Sequence, residues 1–502
     1  MPIRTVLGVD VGTSSSKGVL VSADGDILRS AVREHRVDRP APGWVEMDAA
    51  LWWDEFRSLA SELTGDLSAS EFEVVGVGLS GMGPCLVLTD GEGTPVRPAI
   101  LYGIDTRATA QIARIERELG RAAILHTCGS VLSSQAIGPK VAWVAENEPD
   151  AYSRASRLFM PASWLAFRLT GEYVLDHHSA SQATPLYDAS AQAWHAQWAP
   201  RLAQGLTLPA LRWAGDLAGY TREAVAGVPA GTPVTVGTID AWSEAVSVDA
   251  HNVGDLMLMY GTTMFLVATV SQAMASEHLW GTVGAFSGTR NLAAGMATSG
   301  AITAWIRNLT GVDYPDLLAE AALSGPGARG LLMLPYFAGE RTPVQDPDAR
   351  GVIAGLTLEH TRGDIYRSAL EATALGVRHN VETIRESGAD IARVVAVGGG
   401  TQGGLWMQIV SDVTGLDQLV PARTIGASYG AAMLAAGLVL DTDPARLAAR
   451  WNPATAVVRP RAELRATYDL LYSQYRDLYP ATRGIVHALQ RPVRHDDTGR
   501  HV

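Results

Sequence analysis

A short polar turn between two apolar segments near the N-terminus limits the possible folds of this chain. Residues 5–11 are mostly apolar, residues 12–16 read Gly-Thr-Ser-Ser-Ser, and residues 19–21 are apolar again. This pattern predicts two β-strands joined by a tight turn. Such a turn presents backbone N–H groups and hydroxyls that suit phosphate oxygens. An ordinary hairpin with a solvated Asp10 has the same pattern and stays an alternative.

The same arrangement occurs again in the middle of the chain. Residues 256–260 are largely apolar, residues 261–263 read Gly-Thr-Thr, and residues 264–267 are apolar. An internal repeat of this kind indicates two similar domains that face each other. We therefore predict an α/β fold with a central cleft, in which each domain offers one phosphate-binding turn to a single nucleotide.

Composition excludes several classes of protein. A chain of 502 residues with 47% hydrophobic and 18% charged residues is long enough for two or three globular domains. The net charge of −12 argues against a nucleic-acid or membrane surface. No apolar segment reaches the ~18 residues of a membrane helix, and we find no signal peptide. Cys85 and Cys128 are the only cysteines, so we expect a cytoplasmic protein.

Two common nucleotide-binding motifs are excluded. Residues 76–81 match GxGxxG by letters, but a strand-like segment follows at 85–88, where a dinucleotide fingerprint requires a helix. The P-loop needs a lysine followed by Ser or Thr, and neither Lys17 nor Lys140 has such a neighbour. These are the only lysines of the chain. Any bound nucleotide therefore requires another architecture.

A glycine-rich corner follows the predicted strand at 394–397. Residues 398–404 contain five glycines before a helix predicted from Leu405. Glycines let a flat ring approach the backbone, and a helix N-terminus favours negative charge. Gly399, Gly400 and Gly403 are therefore candidates for an adenine or ribose site. Close packing of the helix on the strand is the alternative interpretation.

Several other elements follow from local patterns. Asp48 is a good N-cap for a helix, and residues 361–364 resemble a capping box at the start of a long helix. Periodicity predicts helices at 139–149, 155–171 and 190–204, which we expect to form a Trp-rich insertion beside the cleft. Their Trp164, Trp194 and Trp198 could stack on a sugar, although core packing is the commoner role of such residues.

At these positions the chain resembles the FGGY carbohydrate kinases of the actin/hexokinase/sugar-kinase superfamily, from Val6 to about Leu489. The most specific element is residues 351–356 followed by 364–371, which are similar to the C-terminal signature of that family. The turn after Asp10, the turn at 261–263 and the glycines at 398–400 resemble its two phosphate motifs and its adenosine motif. The resemblance implies two ribonuclease H-like domains, at 1–247 and 248–489, and we expect a disordered tail at 490–502.

The resemblance also implies ATP and Mg²⁺ and assigns roles to individual residues. Asp240 corresponds to the catalytic base, which accepts a proton from the sugar hydroxyl, although it could simply cap a helix. Asp10 offers oxygen ligands to Mg²⁺. Lys17 can reach the transferred phosphoryl group or can be a solvated turn lysine. The expected nucleotide contacts are Gly12, Thr13, Ser14, Lys17, Gly261, Thr262, Thr263, Gly399, Gly400 and Gly403.

Within the family, the resemblance is strongest to the kinases of D-xylulose, through residues 42–48 with Trp52-Trp53 and residues 98–101. Where that group has Gly-Gln-Met-His-Gly, this chain has Gly-Met-Gly-Pro-Cys at 81–85. Its Trp-Asn-Asp-x-Arg segment is replaced by the longer segment 102–107. The expected sugar contacts are Met82, Gly83, Tyr102, Asp105 and Asp240.

The two departures change the predicted sugar pocket and leave other substrates open. Another sugar or polyol, such as L-xylulose, ribulose, glycerol or erythritol, is the first alternative. A non-enzymatic ATPase of the actin or chaperone kind is the second. His177 and His178 lack the spacing of a metal site. A homodimer is expected only because C₂ dimers are the commonest homo-oligomers.

Overall fold

The structure is a computed structural model, which describes residues 2–65 and 71–490. Apart from Gln490, the tail predicted to be disordered lies outside the described residues. The strands of the N-terminal half are β1 (Ile3–Val11), β2 (Ser15–Ser22), β3 (Ile27–Glu34), β4 (Glu46–Met47), β5 (Phe72–Gly81), β6 (Val87–Thr89), β7 (Ala99–Ile100), β8 (Arg157–Phe159), β9 (Val174–Asp176), β10 (Tyr187–Asp188), β11 (Ala193–Trp194), β12 (Ala210–Arg212), β13 (Leu217–Tyr220), β14 (Pro233–Thr235) and β15 (Thr238–Ile239).

The strands of the C-terminal half and the helices complete the described fold. The strands are β16 (Asp255–Tyr260), β17 (Met264–Val270), β18 (Trp280–Val283), β19 (Arg290–Met296), β20 (Leu332–Leu334), β21 (Val352–Ala354), β22 (Arg393–Val397), β23 (Gln418–Pro421) and β24 (Ala454–Val458). The helices are α1 (Ala49–Thr64), α2 (Thr109–Leu119), α3 (Arg121–Cys128), α4 (Ile137–Asn147), α5 (Pro149–Arg154), α6 (Pro161–Thr170), α7 (His177–Ser181), α8 (Trp198–Leu202), α9 (Asp240–Ser247), α10 (Gly300–Thr310), α11 (Tyr314–Ser324), α12 (Arg362–Glu386), α13 (Leu405–Thr414), α14 (Ala427–Leu440), α15 (Pro444–Trp451) and α16 (Arg465–Leu489).

Two mixed sheets with the same strand arrangement form the framework. The first has the order β13-β14-β5-β1-β2-β3, in which β1, β2 and β3 form an antiparallel meander and β5 runs parallel to β1. The second has the order β18-β19-β17-β16-β22-β23-β24, in which β16, β17 and β19 form the meander and β22 runs parallel to β16. Each polar turn joins the first two strands of one meander, so the predicted internal repeat is confirmed.

Local capping begins two helices where the sequence predicts them. Asp48 Oδ1 accepts a hydrogen bond from the N–H of Ala50 at 2.9 Å and caps α1. Thr361 and Asp364 form a reciprocal capping box at the start of α12. In both cases a short polar side chain satisfies backbone N–H groups that a helix start leaves unpaired.

Helix α14 comes from the C-terminal half of the sequence but packs on the first sheet, against β1 and β5. A Cβ atom on Gly8 would lie 2.1 Å from the carbonyl oxygen of Ser428, and one on Gly78 would lie 1.8 Å from that of Ala431. Gly78 belongs to the GxGxxG-like segment, which is strand up to Gly81. The dinucleotide fingerprint is therefore correctly excluded, because Gly78 permits the close approach of a helix.

Two of the three segments predicted to be helical have a different structure. Residues 155–171 begin with β8, which pairs with β6, and only then form α6. Residues 190–204 contain β11 and the five-residue helix α8. Local periodicity could not reveal the pairing of short strands with distant partners. The segment 139–149 lies mostly in α4, as predicted.

The predicted insertion owes its tryptophans to packing. Trp164 is fully buried and donates from Nε1 to the carbonyl oxygen of Gly93 at 3.0 Å. Trp194 donates to the carbonyl oxygen of Pro209, and Trp198 stacks on His195. These contacts favour the core interpretation over stacking on a sugar.

Two further sequence predictions concern the environment of the chain. In the part that the structure describes, none of the helices has the length and apolar character needed to span a bilayer. Cys85 and Cys128 are both buried free thiols. The division of the chain at residues 247 and 248 stays a prediction, and α14 shows that sequence halves and sheets do not coincide fully.

Candidate active site

A cavity of about 480 Å³ lies between the two sheets and is lined by residues of both. Asp10 and Lys17 reach it from the β1–β2 hairpin, and Met259, Thr263 and Phe265 reach it from the β16–β17 hairpin. The two hairpins therefore face one space. The remaining predicted turn residues lie beside the cavity without lining it, namely Gly12, Thr13, Ser14, Gly261 and Thr262.

Asp10 is held at the end of β1 by two neighbouring strands. Ser80 on β5 donates from Oγ to Asp10 Oδ1 at 2.8 Å, and Lys17 on β2 lies opposite Asp10 in the antiparallel register. Burial raises the pKa of Asp10 to about 6, while the Ser80 hydrogen bond and the charge of Lys17 oppose that rise. A buried carboxylate with so few partners is suited to bind a cation.

A buried network supports the first turn from behind. The N–H of Gly12 donates to the carbonyl oxygen of Ser15 at 3.0 Å, and His35 Nε2 lies 3.0 Å from the carbonyl oxygen of Gly12. His35 Nδ1 lies 3.0 Å from the carboxylate of Glu55, a residue of α1. Sequence reasoning missed His35 and Glu55, because only the fold brings this pair to the turn.

The second turn is fixed by the start of α10. The N–H of Gly300 donates to the carbonyl oxygen of Gly261 at 3.0 Å, and the N–H of Ala301 donates to that of Thr262 at 3.0 Å. Thr263 follows directly and lines the cavity. The turn therefore has a fixed backbone, as phosphate recognition by backbone groups requires.

The glycine-rich corner lies next to the second hairpin, at the end of β22. A Cβ on Gly398 would lie 2.5 Å from the carbonyl oxygen of Tyr260, and one on Gly400 would lie 2.7 Å from the Trp406 ring. Gly399 has open space beside it, and Gly403 approaches Leu318. Close packing thus explains part of the glycine content. The predicted nucleotide contacts Gly399, Gly400 and Gly403 do not line the cavity.

Asp240 reaches the cavity from the start of α9. The preceding strand β15 pairs with the end of β5, where Thr238 lies beside Ser80, the partner of Asp10. Asp240 Oδ1 accepts from the N–H of Ala241 at 2.7 Å, and Asp240 is the first helical residue and not the N-cap. Burial raises the pKa of Asp240 to about 8, and the negative charges of Asp10 and Glu244 contribute to the rise.

Glu244 is a third carboxylate that sequence reasoning missed. It follows Asp240 by four residues in α9, so both side chains project from the same face and line the cavity. Burial raises the pKa of Glu244 to about 7, and Asp10 contributes while Lys17 opposes. The four-residue spacing after Asp240 was the available signal.

The carboxylates fit a divalent cation that is completed by other ligands. Asp10 is held in the interior, and its charge influences the pKa of both Asp240 and Glu244. Within residues 2–65 and 71–490, however, no three His, Cys, Asp or Glu side chains are arranged to hold a metal ion by themselves. Mg²⁺ is commonly bound through one or two carboxylates together with substrate phosphates. The donor set is consistent with that mode of binding.

Two predicted sugar contacts, Tyr102 and Gly83, line the part of the cavity around Tyr102, which we call the Tyr102 end. The hydroxyl of Tyr102 lies 3.0 Å from Thr13 Oγ1, so the loop at 102–107 touches the first turn. Lys140 is fully buried behind it and donates to the carbonyl oxygen of Tyr102 at 3.2 Å. Gly83 also lines the cavity, and a Cβ there would lie 2.6 Å from Ile239 Cγ1.

Two other predicted sugar contacts, Asp105 and Met82, lie outside the lining of the cavity. Asp105 is buried in ion pairs with Arg107, and its Oδ2 also accepts from the N–H of Val45 at 2.7 Å. Met82 is packed in the hydrophobic core. Neither Asp105 nor Met82 lines the cavity. Arg107 lies close enough in sequence to neutralise Asp105, and a contact of Asp105 with the sugar stays a prediction.

Hydrogen-bonding and aromatic residues from distant segments also line the cavity. None of them belongs to a motif that sequence reasoning recognised, so only the fold identifies them. They include Ser133, Gln135, Gln182, Trp242, Trp280, Thr282 and Arg341. An apolar wall with a few converging polar groups is typical of a small-molecule site.

Together, the duplicated sheet topology and a cleft with two polar hairpins and buried carboxylates define a two-domain phosphotransferase fold. The model of the FGGY family of carbohydrate kinases, N-terminal domain, matches residues 5–247, and its C-terminal domain matches residues 256–438. The chain belongs to the FGGY family of carbohydrate kinases.

Individual relatives are similar over nearly the whole chain. A xylulose kinase of Lactococcus lactis is 27% identical over 96% of this chain and 98% of its own. A glycerol kinase of Corynebacterium efficiens is 28% identical over 95% and 98%. The crystal structure of a xylulose kinase from Rhodospirillum rubrum has a TM-score of 0.89 at 28% identity and covers 96% of this chain and 100% of its own. The predicted family and fold are therefore confirmed.

Proposed function

We propose that this chain is an ATP-dependent kinase that transfers the γ-phosphoryl group of ATP to a hydroxyl of a ketopentose, with D-xylulose as the substrate. The observation that carries the proposal is the convergence of Asp10, Lys17 and Asp240 with the second hairpin in one cavity. The similarity to xylulose kinases over the whole chain supports the choice of sugar.

In this proposal Asp240 acts as the general base. The sugar hydroxyl loses its proton to the Asp240 carboxylate while its oxygen forms a bond to the γ-phosphorus. The bond between that phosphorus and the bridging oxygen breaks, and ADP leaves. A base whose pKa lies near the working pH is effective in such a transfer. Burial and Asp10 raise the pKa of Asp240 to about 8, which meets that condition.

Charge neutralisation is divided between protein and metal. Lys17 is the cation nearest in sequence to the first turn and lines the cavity, where it can balance charge on the transferred group. Asp10, with Glu244 close by, would hold Mg²⁺, which supplies positive charge to the phosphate oxygens when bound. Domain closure would exclude water that could otherwise accept the phosphoryl group.

A substrate panel tests the proposed reaction. ADP formation in a coupled assay is expected to depend on D-xylulose in preference to L-xylulose, ribulose, glycerol and erythritol. The alternative is that another sugar or polyol of the panel is preferred. It is left open by the altered segment at 81–85 and by the neutralised Asp105. An ATPase rate that no sugar or polyol changes would contradict the kinase assignment and favour an actin-like or chaperone-like function.

The variant Asp240→Asn tests the role of the base. It keeps an acceptor oxygen for the N–H of Ala241 and removes the proton acceptor, so kcat should fall by roughly 10²–10⁴-fold. The affinity for ATP, measured by calorimetry, should change little. Turnover close to that of the wild type would show that another group accepts the proton.

A further inference from the structure

Arg341 presents an unpaired guanidinium group to the cavity. The residue is exposed, lies between β20 and β21, and lines the cavity at its edge. Across residues 2–65 and 71–490, its guanidinium makes neither a hydrogen bond nor an ion pair. By contrast, Arg107 and Arg367 are buried against carboxylates. A cation without a partner in a substrate cavity is available to a ligand.

The main chain on both sides of Arg341 is rigidly held. Glu340 is buried, and its Oε1 accepts from the N–H of Ala297 at 2.9 Å and from the N–H of Arg341 at 2.7 Å. The N–H of Gly295 donates to Thr342 Oγ1 at 2.7 Å. Both anchors lie at the end of β19, so the Arg341 side chain projects from a fixed backbone and not from a loose loop.

The charge of Arg341 acts on Tyr102, whereas the charge of Lys17 acts on Asp10 and Glu244. Burial raises the pKa of Tyr102, the hydrogen bond to Thr13 opposes that rise, the negative charge of Asp240 adds to it, and the charge of Arg341 opposes it. At Asp10 and Glu244, where burial is again the main cause of a raised pKa, the opposing cation is Lys17. Arg341 therefore lies close enough to Tyr102 for its charge to act there, within the same cavity as Asp240.

We propose that Arg341 is a specificity residue that donates hydrogen bonds to the oxygens of the bound sugar at the Tyr102 end, and that Glu340 is its positioning residue. This inference rests on the proposed sugar-kinase function. A guanidinium has five N–H donors and no acceptor, so it suits a polyhydroxylated substrate rich in acceptor oxygens. The amides of Gln135 and Gln182, which can both donate and accept, line the same cavity.

The first test compares Arg341→Met with Arg341→Lys. The dissociation constant for the sugar, read from the fluorescence of Trp242 and Trp280 in the cavity, should rise about 10- to 100-fold in Arg341→Met, because hydrogen bonds from a charged donor are lost. Arg341→Lys keeps the charge, so its dissociation constant for the sugar should lie between those of the wild type and Arg341→Met. The dissociation constant for ATP should stay within about twofold.

A second pair of variants tests the positioning role. Glu340→Ala removes the acceptor that holds the Arg341 backbone, so it should raise the dissociation constant for the sugar, as Arg341→Met does. Glu340→Gln keeps an Oε1 acceptor and should restore binding. The double variant Glu340→Ala/Arg341→Met should be no weaker than Arg341→Met alone. Arg459→Met, an exposed arginine elsewhere, is the matched control and should bind like the wild type.

The outcomes separate this proposal from the proposed function. Unchanged sugar affinity in folded Arg341→Met, or a loss of ATP affinity in its place, would overturn the role of Arg341. Equal effects of Glu340→Ala and Glu340→Gln would overturn the positioning role. Sugar binding without phosphorylation in the wild type would contradict only the proposed kinase reaction.

Discussion

At the scale of single residues, the cavity holds more negative than positive charge at one end. Asp10, Asp240 and Glu244 line it with Lys17 as the neighbouring cation, and burial raises the pKa of all three carboxyl groups. Ionisation of these buried carboxyl groups therefore lowers the stability of the folded state as the pH rises. This cost is relieved when a metal ion or a proton enters.

The pH dependence of stability should reveal this cost. Burial and Asp10 raise the pKa of Asp240 from 3.8 to about 8, so its contribution is fully present below about pH 4 and is lost as the pH rises through 8. Asp240→Asn should match the wild type near pH 4 and be more stable by about 1–2 kcal/mol near pH 9. The difference is this small because the carboxyl group borders a solvent-accessible cavity, where water screens its charge.

Urea denaturation without metal or nucleotide measures the difference at each pH. Glu359→Gln, at a largely exposed position, is a control whose stability relative to the wild type should vary little over this range. A constant difference between Asp240→Asn and the wild type from pH 4 to 9 would refute the prediction.

Single residues were predictable from sequence where a motif placed them at the end of a strand. Asp10 lies near the end of β1, Asp240 directly follows β15, and both line the cavity. The pairing of Asp105 with Arg107 and Val45 was not predictable, because it depends on side-chain geometry. Arg341 was missed because the loop that carries it becomes part of the site only when the two sheets face each other.

At the scale of elements, helix α14 stabilises the first sheet because its backbone packs directly on the backbone of two strands. Gly8 and Gly78 lie on adjacent strands, and both approach carbonyl oxygens of the helix too closely for any side chain. This contact joins segments far apart in the chain. The apolar character of α14 is explained by the same packing, since most of its residues are buried.

Substitution of a glycine in this contact and of a glycine outside it should have opposite effects on stability. Gly78→Ala should reduce the free energy of unfolding by about 2–3 kcal/mol, because the new Cβ would lie 1.8 Å from the carbonyl oxygen of Ala431. Gly484→Ala, in α16, meets no atom within 4 Å and should stabilise by about 0.5–1 kcal/mol. Chemical denaturation measures the free energy of unfolding of both variants and of the wild type. Equal stabilities would refute the packing explanation.

Strands with a strong turn signal were predictable, whereas short tertiary strands were not. The hairpins around residues 12–14 and 261–263 have largely apolar flanks, and both form as predicted. The strand β8 has only three residues and exists because it pairs with β6. Its sequence carries no information about that partner.

At the scale of the whole molecule, the cavity depends on both sheets at once. Carboxylates come from the first sheet and α9, and Thr263 and Arg341 come from the second half of the chain. The α/β class and the internal repeat were predictable because the turn motif is duplicated. The placement of α14 was not, since no local pattern states which sheet a buried helix covers.

The fragment 1–247, which matches the predicted first domain, should not fold on its own. Without α14 it exposes the glycine strip of β1 and β5 and part of the core, in which Tyr429, Met433 and Leu434 are fully buried. We expect a non-cooperative urea transition and binding of a hydrophobic dye. The full chain, unfolded under the same conditions, is the control. A cooperative transition in the fragment would show that α14 is dispensable.

The position of α14 has a consequence for synthesis of the protein on the ribosome. Domains generally fold in order as they emerge, at about 5–20 residues per second. Here the first sheet is complete in sequence at β15 but lacks its covering helix until α14 has left the exit tunnel. For roughly ten seconds or more the nascent chain carries an uncovered apolar face, which makes it a substrate for chaperones before it can be an enzyme.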